Sequence, residues 1–459
     1  MKRKISVGTA ILLVITAVLL TFSLTLTFAW TTGLTEDPSA TTEKLTPSTS
    51  YDPEKLAQII AVFERHSVNG IPMDDLTDSF LKGFVAYSGD AYADYMTAEE
   101  YAAFISSYQG SFVGIGVTVQ MDEDRGLIRV IDVTPDSPAE KAGFRFGDYI
   151  LAVDGKVIDY ESLGDKATET LGGMIRGEEG TEVSVTVDRD GESVTLRATR
   201  GKVTAVSVRS KILTLQDKKV GYIQITSFDY PTVFQFKEAV DKAEAAGVDY
   251  MIYDLRNNGG GLLESVNAML TYILPNKSLI TTVESKLTTT KHYAGDRVAE
   301  HSDLGEGADI KLLASGRVVY NEAYANHTVS VPSAVLINGY SASAAELFTS
   351  ALRDHKVAKT VGENSYGKGC MQVTYDFSDG TALKLTTAFY NPPCGVNYDK
   401  TTEGPIGIAP DVEVIFTAAE NKNNLYLIPP EKDRQFVSAF NALTDGEKLP
   451  EPEPEHIKV

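Results

Sequence analysis

The chain predicts a multidomain α+β fold: a helical N-terminal arm, a small β-barrel-like domain, and a larger layered α/β core. Three observations carry this reading. From Pro53 through Ser107 the apolar residues recur at helical spacing (LAQIIAVF, DDLTDSFLKGFVAYS, TAEEYAAFISSY). From Ser111 to Arg200 the apolar runs are short, β-branched and bounded by turns. Beyond Lys202, continuous apolar strands alternate with amphipathic helices. At 459 residues, 43% of them apolar, two or three domains with real cores are expected.

The net charge of −21 argues against nucleic acid or anionic lipid as a partner of the main body. The N-terminus differs. Met1-Lys2-Arg3-Lys4 is basic, and no charged residue follows until Glu36. As a helix, Ile5 to Trp30 would be about 39 Å long at roughly 1.5 Å per residue, enough to span a bilayer with tilt. The basic end favours a cytoplasmic N-terminus and an exported body. Because the segment closes on Phe28-Ala29-Trp30 rather than on small residues, residues 1–30 read as an uncleaved signal anchor in the cell membrane. Residues 31–50, rich in Thr, Ser and Pro, read as a tether.

The helical arm covers residues 51–110, with Asp74 and Thr97 as caps ahead of apolar runs. In the next stretch, 111–200, SPAEKAGF predicts a short helix with a glycine stop, and GDYILAVDG a strand and turn. Gly114-Ile115-Gly116-Val117 precedes a strand, and its glycines would let successive N–H groups converge on a carboxylate. The surrounding pattern resembles a PDZ domain, which implies a peptide C-terminus bound at Gly114, Ile115, Gly116 and Val117 by β-augmentation.

In the core, residues 201–417, GYIQITSF predicts a strand. PTVFQFKEAVDKAEAAG predicts a helix with Val233, Phe236, Ala239 and Ala243 inward, and VDYMIYDLR a buried strand. The turn NNGGGLL then opens a helix to about Ile273. Residues 292–327 read as an inserted hairpin or flap. SAVLI (Ser333 to Ile337) predicts a buried strand, followed by a helix from SASAAELF to about Arg353. A serine at that helix start stands among unpaired N–H groups and the positive end of the helix dipole, which favour an oxyanion. GKGCMQ predicts a second strand, with Lys368 and Gln372 on one face between glycines that allow close approach. Serine as nucleophile, desolvated lysine as base and glutamine as its orienter form a coherent set. A serine at a helix start is more often only a cap, and a lysine between glycines only a turn residue.

Together these residues resemble the C-terminal processing peptidases, Ser–Lys serine proteases with a PDZ domain. The resemblance places the nucleophile at the middle serine of S-A-S-A-x-E, Ser343, the base at Lys368 in G-K-G, and the glutamine at Gln372. DLRNNGGGLL (Asp254 to Leu263) and GIAPDVEV (Gly407 to Val414) extend it over roughly Tyr51 to Val414. It implies a crotonase/Clp-protease-like α/β layered core. It also implies backbone oxyanion donors at Gly260 and Ala344, and an arm through which two copies pair. The expected activity is a membrane-anchored, extracytoplasmic endopeptidase acting on proteins and peptides with free C-termini. Competing readings are a silent PDZ scaffold and acyl-CoA chemistry on a crotonase-like core.

Two cysteines, Cys370 and Cys394, leave a disulfide open, and Cys370 reads as a packing residue rather than a nucleophile. None of the six histidines has metal-ligand spacing. His355, 12 residues past Ser343, reads as structural, and no cofactor motif is present. Residues 418–459 read as a connector, a short helix near Asp433 to Leu443 and an acidic tail.

Overall fold

The computed structural model describes residues 52–68, 76–122, 125–164, 167–305, 307–401, 406–417, 420, 425–426, 428–444 and 448–453. The expected membrane anchor, the tether and the Asp74 cap lie outside these residues. Among the described residues no helix is long and apolar enough to cross a membrane. The chain divides into two compact units. Of the described residues, one unit holds 52–68 and 76–98 with 314–316 and 373–385, and the other holds the remainder.

In the first unit, α1 (Pro53–His66) starts where Asp52 accepts the Lys55 N–H at 2.9 Å, with proline in the first turn. It buries none of its side chains, and Ile59, Val62 and Phe63 are exposed. Helix α2 (Leu76–Tyr87) buries Val85 and leaves Phe80, Phe84 and Tyr87 exposed. Strand β1 (Asp94–Met96) pairs antiparallel with residues 382–384, and Tyr95 donates its hydroxyl to Asp78 at 2.9 Å. Helix α3 (Ala98–Tyr108) follows in the chain.

The small domain contains β2 (Ser111–Gly114), β3 (Val117–Asp122), β4 (Leu127–Val133), α4 (Pro138–Ala142), β5 (Tyr149–Val153), β6 (Lys156–Val157), α5 (Tyr160–Leu163), α6 (Ala167–Ile175), β7 (Glu182–Arg189), β8 (Glu192–Thr199) and β9 (Gly201–Thr204). Period-2 patterning puts Ile128 and Val130 of β4 and Val183, Val185 and Val187 of β7 inside, against Ala139 of α4 and Leu171 of α6. Burying each such valine or isoleucine contributes about 1.5–3 kcal/mol. Ser137 caps α4, and Gly143 closes it at φ +87°, as its sequence predicts. The sheet runs β3-β4-β5-β7-β8, which leaves β3 as an edge strand.

The core follows with β10 (Val208–Leu215), β11 (Lys218–Ile225), α7 (Tyr230–Ala245), β12 (Tyr250–Asp254), α8 (Leu263–Ile273), β13 (Leu279–Ser285), β14 (Thr289–Tyr293), α9 (His301–Leu304), β15 (Ile310–Leu312), β16 (Val318–Tyr320), α10 (Glu322–Ala325), β17 (Ser333–Ile337), α11 (Ala344–Asp354), β18 (Ala358–Gly362), β19 (Cys370–Asp376), β20 (Ala382–Asn391), β21 (Val412–Glu413) and α12 (Arg434–Leu443). Its main sheet runs β10-β11-β12-β17-β18-β21, parallel except for the β10–β11 pair. Alternate residues serve opposite faces. Ile223, Ile225, Met251, Tyr253, Val335 and Ile337 pack under α7, α8 and α11. Val220, Tyr222, Ile252, Ala334 and Leu336 pack against Phe436, Ala439 and Phe440 of α12. Burial on both faces is why these strands read as continuous apolar runs.

A buried ion network pins α12. Arg256, just past β12, donates to Asp254 at 2.6 and 2.9 Å and to Asp433, the α12 cap, at 2.8 and 3.1 Å. The inserted stretch is a β15–β16 hairpin with two short helices, packed on α7 and α8. Lys237 pairs with Asp309, Arg297 with Glu264, and the Tyr324 hydroxyl donates to the Ala268 carbonyl at 2.9 Å.

Candidate active site

In an open α/β sheet, ligands bind beyond the carboxyl ends of the strands. Here the turns leaving β12 and β17 are stitched together at that edge. The Asn257 N–H donates to Asn338 Oδ1 at 2.9 Å, and Asn338 Nδ2 donates to Asn257 Oδ1 at 2.8 Å. Ser341 Oγ donates to the Leu255 carbonyl at 2.8 Å, and the Ala342 N–H donates to the Asn258 carbonyl at 2.9 Å. These bonds bring Gly260 against Ser343. A Cβ on Gly260, at φ +105°, would lie 2.7 Å from Ser343 Cβ and 3.1 Å from the Ala344 nitrogen. Only glycine fits there.

Ser343 is the N-cap of α11, at φ 56° and ψ −118°, outside the basins an L-residue ordinarily adopts. Such strain persists only where the surroundings enforce it. The enforcing group is Glu346. This carboxylate has no exposed surface. Its Oε2 accepts the N–H groups of Ser343 and Lys368, both at 2.8 Å, and its Oε1 accepts the Gly367 N–H at 2.7 Å and the Ser365 hydroxyl at 2.6 Å. Burial pushes its pKa above the ordinary carboxylate value, and these four donors oppose the shift. One buried carboxylate thus clamps the serine turn to the lysine loop.

That loop corrects one expectation. Lys368 precedes the strand rather than lying on it, since β19 starts at Cys370. Its N–H goes to Glu346, and that of Gly369 goes to Asp399 at 2.7 Å, so neither joins a strand ladder. The flanking glycines do permit close approach, but of residues 397–399 and 406–407. A Cβ on Gly367 would lie 3.1 Å from the Tyr398 oxygen, and one on Gly369 would lie 2.7 Å from Asn397 Oδ1.

Gln372 does lie on β19, half-buried. Its amide donates to Cys370 Sγ at 3.5 Å and to Thr386 Oγ1 at 3.1 Å. The Cys370 thiol is pushed up to about 11 by burial and by Asp399, with Gln372 and the Lys368 charge pulling the other way. A buried thiol held in that form is a packing group, not a nucleophile. Cys394 is exposed, and the two cysteines are not joined.

Sequence reasoning missed Tyr390. Its hydroxyl lies 2.6 Å from the Lys368 carbonyl oxygen and 3.1 Å from Ser343 Oγ. It sits 47 residues from the serine, and nothing in LTTAFY separates it from an ordinary strand tyrosine. Sequence reasoning missed Glu346 too, although a signal was there: the glutamate of S-A-S-A-x-E stands three residues after the cap, the spacing of a capping box.

For the oxyanion pair, the Ala344 N–H is the first of α11 and one of the four a helix leaves without intrahelical acceptors. The Gly260 N–H donates to Asn258 Oδ1 at 2.8 Å. His355 caps the far end of α11, with Nε2 2.7 Å from the Leu279 carbonyl oxygen. In the small domain, the Ile115 and Gly116 carbonyls accept the N–H groups of Ala139 (2.7 Å) and Thr134 (2.9 Å). A trans peptide points its N–H opposite its carbonyl, so the N–H groups of Gly116 and Val117 turn away from these partners.

Residues 219–414 match the family description "Peptidase family S41", and residues 113–199 match "PDZ domain". The core belongs to peptidase family S41. The PDZ domain precedes it in the chain. A probable CtpA-like serine protease of Staphylococcus haemolyticus (strain JCSC1435) is 31% identical over 357 residues, covering 78% of this chain and 63% of its own. One of Staphylococcus aureus (strain COL) is 32% identical over 362 residues, covering 76% and 65%. This chain therefore spans somewhat less than two thirds of the length of these relatives. Among solved structures, a photosystem II D1 C-terminal processing protease is similar at 24% identity and a TM-score of 0.47, covering 80% of this chain and 87% of that one. A structure described as "Putative S41 protease from Bacteroides fragilis NCTC 9343" is similar at 17% identity and a TM-score of 0.49, covering 80% of this chain and 92% of that one.

Proposed function

We propose that the chain is a membrane-anchored, extracytoplasmic serine endopeptidase that captures substrate C-termini through its PDZ domain and cleaves by Ser–Lys chemistry. The observation that carries the reading is the clamp. Glu346 holds a backbone-strained serine at a helix N-terminus and the lysine loop on a single carboxylate. In this mechanism Ser343 Oγ attacks the scissile carbonyl while neutral Lys368 takes its proton and later returns it to the leaving amine. The Ala344 N–H stabilises the oxyanion, joined by that of Gly260 once it exchanges its bond to Asn258. Gln372 acts by fixing Cys370 and Thr386 beside the lysine loop.

The open edge of β3, with the N–H groups of Gly116 and Val117 at its start, suits an added peptide strand ending in a carboxylate. The basic, apolar N-terminus supports the anchor, and the exposed apolar side chains of α1 and α2 support pairing of two copies. Mass spectrometry of peptides incubated with the full chain in detergent tests the reading. Cleavage that disappears in Ser343→Ala is expected. Peptide binding without cleavage by the wild type would leave only a scaffold.

A further inference from the structure

Resting on the Ser–Lys reading, we infer that Tyr390 is a third catalytic group, a phenol that divides its hydrogen between the Lys368 carbonyl and Ser343 Oγ at rest and commits it to Ser343 Oγ as negative charge develops there. The geometry gives both halves. A phenol has one hydrogen, and two oxygens lie within reach of it: the Lys368 carbonyl at 2.6 Å and Ser343 Oγ at 3.1 Å. The phenol is the donor in both contacts, so its one hydrogen is divided between the carbonyl oxygen and Ser343 Oγ, which both accept. It is a lone pair of Ser343 Oγ, not its proton, that faces Tyr390.

Attack shifts this division. The serine proton leaves for the neutral lysine Nζ, Oγ forms its bond to the substrate carbonyl carbon, and Oγ carries partial negative charge on the way. The phenol hydrogen then gains more by turning from the neutral carbonyl to Oγ, because hydrogen bonds to charged acceptors are the stronger. Tyr390 is suited to this in two further respects. It is almost fully buried (4% exposed), so its donor works in low dielectric. Its pKa is raised far above the ordinary tyrosine value, chiefly by burial, with Glu346, Cys370 and Asp399 adding to the effect and the Ser343 hydrogen bond opposing it. It therefore stays protonated throughout the working range. Its backbone N–H, bonded to the Gly369 carbonyl at 2.9 Å, fixes the ring beside the lysine loop. Any shift of that loop is transmitted to the serine hydroxyl.

Three variants of the full chain test this: Ser343→Ala, Tyr390→Phe, and Tyr390 replaced by 2,3-difluorotyrosine, whose hydroxyl keeps both bonds but is more acidic. Wild-type turnover that vanishes in Ser343→Ala establishes the underlying chemistry. Tyr390→Phe is then expected to lose roughly 10- to 150-fold in kcat, the value of one hydrogen bond to a charged group, with KM changed little. The difluorotyrosine protein is expected to exceed wild-type kcat, because a stronger donor follows the developing charge, with the lysine limb of the pH profile in place. Wild-type kcat in Tyr390→Phe would overturn the inference while leaving the Ser–Lys mechanism standing. So would a deficient Tyr390→Phe beside a difluorotyrosine protein of unchanged kcat, which marks a purely structural phenol. Turnover surviving in Ser343→Ala would overturn both.

Discussion

A carboxylate with no exposed surface, accepting from Ser343, Ser365, Gly367 and Lys368, joins the two halves of the site. Its titration yields a prediction with opposite signs for activity and stability. Burial raises the folded pKa of Glu346 above its unfolded value, near 4.3. Acidification therefore protonates it in the folded state first. One accepting oxygen becomes a donor facing N–H groups, and the clamp opens. Activity should fall along an acid limb above the ordinary carboxylate range. The contribution of this group to stability has the other sign. It is fully present below the unfolded pKa and lost as pH rises through the folded one. Activity followed beside circular dichroism from pH 7 to 4 should show inactivation of a still-folded protein, and loss of both together would count against the clamp. Gln372 is expected to matter less. Its amide makes neutral hydrogen bonds to Cys370 and Thr386. Gln372→Ala should therefore reduce kcat/KM by about 0.5–1.5 kcal/mol, roughly 2- to 13-fold. Ser343, Lys368 and Gln372 could be singled out as candidates because their motifs are local, whereas the bonds of Gln372 to Cys370 and Thr386 could not be foreseen. Tyr390 was not singled out, because its role arises only when β20 folds back beside the lysine loop.

At the scale of elements, the strands and helices of the core were readable wherever one period dominates. Ser333–Ile337 and the helix bearing Val233, Phe236, Ala239 and Ala243 lie where their patterns put them. The lysine strand was misread because alternation alone cannot show that Glu346 and Asp399 take up the N–H groups of Lys368 and Gly369. Nor could the sequence show that α12 is held by Arg256 from 177 residues away. That network yields a stability prediction. Arg256→Met leaves Asp254 and Asp433 buried without their shared cation, at a cost of about 3–5 kcal/mol. At about 2–4 °C per kcal/mol for a domain of this size, the melting temperature should drop by roughly 6–20 °C. A drop under about 2 °C in a calorimetric scan would contradict this.

Over the whole molecule, the PDZ and S41 domains divide the labour of capture and chemistry in the proposed peptidase. Amidating a peptide substrate removes the terminal charge that the Gly116 and Val117 N–H groups would bind. The expected loss is about 1.5–3 kcal/mol, seen as a roughly 10- to 150-fold rise in KM. Equal KM for acid and amide would exclude a carboxylate-binding loop. The peptide rather than the loop must be varied. Gly116 sits at φ +89°, and a Cβ there would lie 2.5 Å from Ser137 Cβ, so a substitution would deform the domain itself.

The claim on which the rest depends is that Ser343 is an activated nucleophile, and covalent trapping reads this directly. The full chain is treated with a fluorophosphonate and digested, and the adduct is located by mass spectrometry. A single stoichiometric adduct on Ser343, formed faster as pH rises and lost in Lys368→Ala, is the expected result. Wild-type labelling in Lys368→Ala, or an adduct on any residue other than Ser343, would contradict it.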